Sequence, residues 1–388
     1  MKGNKLSIKI IFKTAIITSS FLFLSCEKMI LGSDGEKPPP PAIHASRLAT
    51  YLDSMRYALD LPALAAAIVT DTGIVDAQAV GCRRYGGPAN VTNNDVFLPG
   101  SCAKSFTSVL LGVLVDEGKV SWTATLSEIF PEFSNTMRQE YRDVNLLHLL
   151  SHTAGFVRAP ELTLHSSSPK DLRREVVAWA LTQPPAVQRG QYLYSNVGFI
   201  IAGAIAEKLE NRPYEELVKE KVFQPLGLAT AGFGQAGTAG LEDQPLKHTP
   251  GNSPILPAPQ DPVWIIQNPA GAGLYLSIGD WGKYCQWVLA CEAGRPSLLR
   301  AETARRITTP VASGIDALGW GVAYLDWADG KALSYLGSDG YGFAQVVLLT
   351  GHRFGLVVMT NQGAGVTSNP IDPVAGHLLN SHRYGQPL

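Results

Sequence analysis

Apolar positions recur along this chain with two periods, and the change between them divides it. Over residues 45–59, Leu48, Leu52, Met55 and Leu59 fall on one helical face, which predicts an amphipathic helix. Two runs, 64–70 and 73–80, follow as strands joined by the turn Asp71-Thr72-Gly73. Residues 101–117 predict a helix that is apolar all round beyond its first turn and stopped by Gly118, as expected of a central, buried element. The helical period continues over 146–151, 168–181, 197–209, 214–223 and 278–289. Strand-like runs return at 320–325, 332–336, 343–349 and 355–360, with a closing helix over 373–379. Strands at both ends with helices between them predict an α/β (α+β) fold. Its antiparallel sheet is built from N- and C-terminal strands and flanked by helices, and a mainly helical domain is inserted between them. The sheet part is expected over about 42–98 and 300–388, and the helical part over about 101–290. Between them, 229–262 is rich in Gly and Pro with little periodicity, and a loop of that length is expected to wall or cover a site.

The first forty residues follow a different pattern. Lys2, Lys5, Lys9 and Lys13 precede an apolar run over 14–24 that is shorter than the ~20 residues a permanent span needs. That is the profile of a signal peptide, here over 1–25. Phe23-Leu24-Ser25-Cys26 resembles a bacterial lipobox, with Phe23 where Leu is usual, and so implies lipidation at Cys26; a conventional signal peptide with an incidental cysteine fits the same residues. Residues 26–41 end in four prolines, an extended tether. An exported protein at the periplasmic face of the envelope is therefore expected, touching the membrane only through its lipid.

Composition narrows the function further. The 388 residues are 45% hydrophobic and 17% charged with a net charge of −1, so no basic field exists to hold nucleic acid. Beyond Cys26 the cysteines are Cys82, Cys102, Cys285 and Cys291, without CxxC spacing and so without a zinc signature. Export permits disulfides among them, and the sequence does not pair them. His148 and His152 stand i,i+4 with no glutamate of an HExxH motif between them, which favours hydrogen-bonded packing groups over a metal site. Neither metal nor cofactor is expected.

The candidate chemistry starts at Ser101-Cys102-Ala103-Lys104. Positions i and i+3 share a helical face, so Lys104 can reach the Ser101 hydroxyl, and a serine needs such a base to become nucleophilic. Lysine serves only if burial or nearby cations bring its pKa well below ~10.4. Taken alone, the spacing also fits a capping serine followed by a solvated lysine. Cys102 points off the Ser/Lys face and reads as a small buried filler. Tyr194 and Asn196, two apart on an extended segment, point to one side, where a phenol can relay the serine proton and an amide can bond lysine or substrate. Taken alone, that triplet is better read as a core tyrosine followed by a helix-capping asparagine.

Together these pieces resemble the class C β-lactamase and penicillin-binding-protein-like serine hydrolases, which include esterases and D-Ala peptidases. The resemblance runs from about residue 48 to 362. It is carried by Phe97-Leu98-Pro99-Gly100-Ser101-Cys102-Ala103-Lys104, Leu147-His148-Leu149-Leu150-Ser151-His152-Thr153-Ala154-Gly155, Tyr194-Ser195-Asn196, Pro269-Ala270-Gly271-Ala272-Gly273 and Leu318-Gly319-Trp320-Gly321, in that order. It implies that Ser101 is acylated, that Lys104 and Tyr194 handle its proton, and that Asn196 orients polar groups. The oxyanion would be bound by the backbone N–H of Ser101 and one from a C-terminal strand. On that strand the family carries Lys-Thr-Gly or His-x-Gly, whereas this chain has Tyr335-Leu336-Gly337, which puts the second N–H at Ser338. Tyr335 brings no positive charge, so neutral esters or amides are favoured over carboxylate-bearing β-lactams, unless an arginine from elsewhere substitutes. The expectation is a serine hydrolase acting through an acyl-enzyme on a small ester, amide or cell-wall-like peptide. The alternative is a non-catalytic or acylation-only sensing domain of the same fold.

Overall fold

The computed structural model describes residues 46–257, 262–311, 316–363 and 369–386. The expected signal peptide, Cys26 and tether lie outside the described residues.

Six strands make one antiparallel sheet: β1 (Ala63–Thr70), β2 (Ile74–Gly81), β3 (Gly321–Leu325), β4 (Gly330–Ser338), β5 (Phe343–Leu349) and β6 (Phe354–Thr360), in the order β2-β1-β6-β5-β4-β3. The N-terminal hairpin joins the C-terminal meander where β1 pairs with β6, from Leu64 opposite Thr360 to Thr70 opposite Phe354. Being central, β1 and β6 are buried on both faces, which is why they read as unbroken apolar runs rather than alternating ones. One face is covered by α1 (Arg47–Ala58) and the C-terminal helix Asp372–Tyr384, with Leu48, Leu52, Val374 and Leu378 against Leu64, Leu356 and Val358. The other face carries the rest of the core, built around α2 (Lys104–Asp116).

The element starting at Ser101 departs from its expected form. Gly100–Ala103 is a 3-10 turn, and α2 begins at Lys104. Gly100 has φ +53, a left-handed backbone that breaks the helical run just before the serine. Beyond that turn the prediction of a buried helix holds, since α2 is buried from Lys104 through Leu114. Residues 214–223 split into a helix, Tyr214–Val218, and a π-helical turn, Lys219–Phe223. A short strand that periodicity did not announce, Leu274–Ser277, pairs with both Val96–Phe97 and Gly232–Phe233. Helix Ile278–Glu292, which follows it directly, packs on β1, β2 and β6.

Behind the Ser101 turn, a buried ion network fixes the segment 265–271. Arg173 on α3 (Pro169–Ala180) is fully buried and donates to Glu207 of α4 (Asn196–Glu210) at 2.6 Å, to Glu215 at 2.9 Å and to the Ile265 carbonyl at 2.7 Å. Asn268 Nδ2 donates to Glu215 at 2.6 Å, and Thr107 of α2 donates to the Pro269 carbonyl at 2.7 Å. A buried guanidinium so compensated is held by geometry, and it holds the next carbonyl, Ala270, in place.

Candidate active site

Three side chains meet at the head of α2. Ser101 Oγ is 2.6 Å from Tyr194 Oη and 3.1 Å from Lys104 Nζ, while Lys104 Nζ is 2.6 Å from Tyr194 Oη. Lys104 also donates to the Ala270 carbonyl at 2.8 Å. The lysine is 0% exposed, and burial brings its pKa well below the usual ammonium range, with the charge of Arg158 acting in the same direction. A neutral amine has two N–H bonds and a lone pair. The Ala270 carbonyl takes one N–H, which leaves one N–H and the lone pair facing Ser101 and Tyr194. Burial pushes the Tyr194 phenol upward, so it rests protonated. The three groups then close a ring: serine donates to tyrosine, tyrosine to the lysine lone pair, and lysine to serine. Such a ring can shuttle a proton off the serine without creating net charge.

The strand facing this ring comes within backbone contact of it. A Cβ placed on Gly337 would lie 1.9 Å from the Pro99 carbonyl and 2.8 Å from Ser101 N, and one on Gly100 would lie 2.5 Å from Ser338 N. Only glycines permit that approach, which packs the backbone of Gly337–Ser338 directly against that of Pro99–Ser101.

The Beta-lactamase family model matches residues 48–380. This chain belongs to the Beta-lactamase family. It is 27% identical over 341 residues to penicillin-binding protein 4 of Amycolatopsis lactamdurans, covering 81% of this chain and 84% of that one. To the unguisins hydrolase ungD' of Aspergillus campestris it is 26% identical over 70% of its own length, spanning 53% of that relative. Among solved structures, the fold matches the octameric penicillin-binding protein homologue of Pyrococcus abyssi (TM-score 0.68, 22% identity, 88% of this chain and 77% of that one). It also matches the D-alanine carboxypeptidase AmpC of Burkholderia cenocepacia (TM-score 0.69, 17% identity, 86% and 98%). The family is one of serine hydrolases, and the mixed fold with its antiparallel sheet is theirs.

The remaining family motifs surround the ring. Ser195 N–H donates to His152 Nδ1 at 3.0 Å, so the imidazole proton sits on Nε2 and is directed at Tyr335 Oη, 3.2 Å away. Burial, with the charge of Arg158 adding to it, holds His152 well below its usual pKa and therefore neutral. The Tyr335 hydroxyl accepts from His152, which leaves its own proton to donate elsewhere. His152 also stacks on Tyr194, ring centroids 4.5 Å apart, and has a left-handed φ of +61. It is thus part of the site wall, whereas His148 is engaged in a capping box with Asn145. Cys102 Sγ points at the Tyr335 and Ala344 carbonyls, away from the ring, and Cys82, Cys102, Cys285 and Cys291 are all free thiols.

Asn196 differs from expectation. Its Nδ2 donates to Gln267 at 3.3 Å, and Lys104 directs its N–H bonds to the Ala270 carbonyl and Ser101 rather than to the Asn196 amide oxygen. Its Oδ1 is buried without a hydrogen-bond partner among the described residues. Within residues 229–257, Lys247 pairs with Asp339, in the loop after Ser338, at 2.6 Å.

Three contributors escaped the sequence reading. The Ala270 carbonyl is backbone, and no residue type announces it. Asp316 is buried, accepts from Tyr192 at 2.9 Å, and has its pKa raised to about 6 by burial. Arg158 lies three residues beyond the Thr153-Ala154-Gly155 segment, with its guanidinium 5.2 Å from the centre of the Tyr194 ring. Its position after that segment was the available signal.

Proposed function

We propose that this protein cuts an ester or amide bond through an acyl-enzyme on Ser101, with Tyr194 relaying the serine proton and Lys104 storing it. Ser101 Oγ attacks the substrate carbonyl carbon as its proton passes to Tyr194 Oη and the phenol proton passes to Lys104 Nζ. The carbonyl oxygen becomes an oxyanion between the Ser101 and Ser338 N–H groups. Collapse breaks the bond to the leaving group, which takes a proton back from Lys104 through Tyr194. Water then attacks the acyl ester, gives its proton to the same pair, and restores Ser101 as the acid leaves. Asn196 Oδ1 and the Tyr335 hydroxyl are placed to orient polar groups of the substrate.

The observation that carries this reading is the closed Ser101–Tyr194–Lys104 ring around a lysine with no access to water. Opposite pKa directions on the lysine and the tyrosine are what a relay requires, with a neutral acceptor at one end and a phenol never left ionised between. A complete proton path also argues against a purely sensing role. The test is rapid-mixing kinetics with a 4-nitrophenyl ester. A burst of one nitrophenolate per protein followed by steady turnover is expected, and it should vanish in Ser101→Ala. Equal turnover by the two proteins would refute the reading, and a burst without turnover would refute its hydrolytic half.

A further inference from the structure

Arg158 carries a fixed positive charge that nothing described in the protein answers. Its residue is half-buried, and among the described residues its side chain makes no hydrogen bond and no ion pair. The buried carboxylate of this neighbourhood, Asp316, is engaged by Tyr192 instead. What the guanidinium does have is a ring face, Tyr194 at 5.2 Å, and a fixed root, since its own backbone carbonyl accepts the Asn196 N–H at 2.8 Å. A guanidinium stays charged at any working pH, and removing it partly from water is unfavourable unless an anion completes the site. Its planar fork suits a carboxylate, which it binds through two parallel N–H donors.

We propose that Arg158 is a substrate-binding residue that takes a carboxylate carried on the leaving-group side of the bond cut at Ser101. This rests on the acyl-enzyme reading above. There, Tyr194 hands the proton to the departing atom, so the leaving group lies against the phenol on whose ring Arg158 is stacked. With Lys104 neutral and Tyr335 uncharged, Arg158 is the one cation at this site among the described residues, which matches a monoanionic carboxylate better than a phosphate dianion. The cation missing from the β4 motif is thus supplied from a different wall, by a residue that no motif marks. The preference for neutral substrates that Tyr335 alone implied is reversed.

The test uses two esters of one N-acylglycine, one with 3-hydroxybenzoate and one with 3-hydroxybenzamide, which differ only in the leaving group's charge. The wild-type protein should favour the carboxylate ester by about ten-fold or more in kcat/KM, mainly through KM, as expected for a charge-assisted pair. Arg158→Gln should bring that ratio near one, and Arg158→Lys should retain part of it. Arg158→Gln should also move the acid limb of the pH profile upward, because Lys104, which faces Arg158, Tyr194 and Cys102, loses a neighbouring positive charge that favours its neutral form. A wild type indifferent to the carboxylate, or a variant that lowers both esters alike with the limb unmoved, overturns the proposal. Labelling by a fluorophosphonate separates the two failures. A Ser101 that labels but shows no carboxylate preference sinks Arg158 alone, and a Ser101 that does not label sinks the acyl-enzyme reading itself.

Discussion

In the proposed mechanism Lys104 is the residue on which the chemistry turns, because only its neutral form can accept a proton. Its pKa is brought down by burial, so activity should rise with pH as the ammonium loses its proton and level off well below pH 10.5. A kcat/KM profile that still climbs near pH 10 would place the lysine in its ordinary range and contradict this. Lys104→Arg keeps a cation but has no lone pair to offer, and the expected loss in acylation rate is on the order of 10³-fold, measured in a single turnover. Asp316 gives a separate pH signature. Its folded pKa of about 6 exceeds the ~3.9 of an unfolded aspartate, so its contribution to stability is complete below the lower value and is lost as pH rises through the upper one. Denaturant midpoints should therefore fall in the wild type relative to Asp316→Asn between pH 4 and 7. Parallel curves for the two proteins would remove Asp316 from the account.

At the scale of elements, the turn Gly100–Ala103 and β4 approach each other closely through backbone. Gly337→Ala would drive a Cβ into the Pro99 carbonyl, so β4 must withdraw and the Ser338 amide with it. At least a ten-fold loss of acylation is expected in a protein whose circular dichroism still reports the fold. Arg173→Met should cost about 3–5 kcal/mol in urea denaturation, because it leaves Glu207 buried and unpaired. Which elements exist was largely legible in the sequence, since β1, β6 and α2 are long and their periods unmistakable. Lys104 and Tyr194 were legible through spacing and through the order of motifs. What could not be read is what has no side-chain signal. The 3-10 turn at Ser101, the short strand Leu274–Ser277 and the Ala270 carbonyl depend on contacts between segments far apart in the chain. From its spacing to Tyr194 the Asn196 amide is expected to bond both lysine and substrate, yet only the fold reveals that the Lys104 donor goes to the Ala270 carbonyl. Arg158 and Asp316 likewise acquire meaning only from the tyrosines they meet.

For the whole molecule, a chain that belongs to the Beta-lactamase family brings Ser101, Lys104 and Tyr194 together at the head of α2, and its first residues resemble a lipoprotein leader. We propose that it works outside the cytoplasm on a lipid tether. If so, Cys26→Ala should abolish incorporation of radiolabelled palmitate and move the protein from the membrane to the soluble fraction; unchanged labelling would exclude Cys26 as the anchor. The proposed chemistry lies between the head of α2, Tyr194 and β4. The most direct test of that chemistry is intact-protein and peptide mass spectrometry after brief mixing with a slowly deacylating ester. The expected result is one acyl adduct on the peptide bearing Ser101, present in the wild type, absent in Ser101→Ala, and slow to form in Lys104→Arg. An adduct on any other residue, or equal adduct formation in Ser101→Ala, would contradict the assignment of Ser101 as nucleophile.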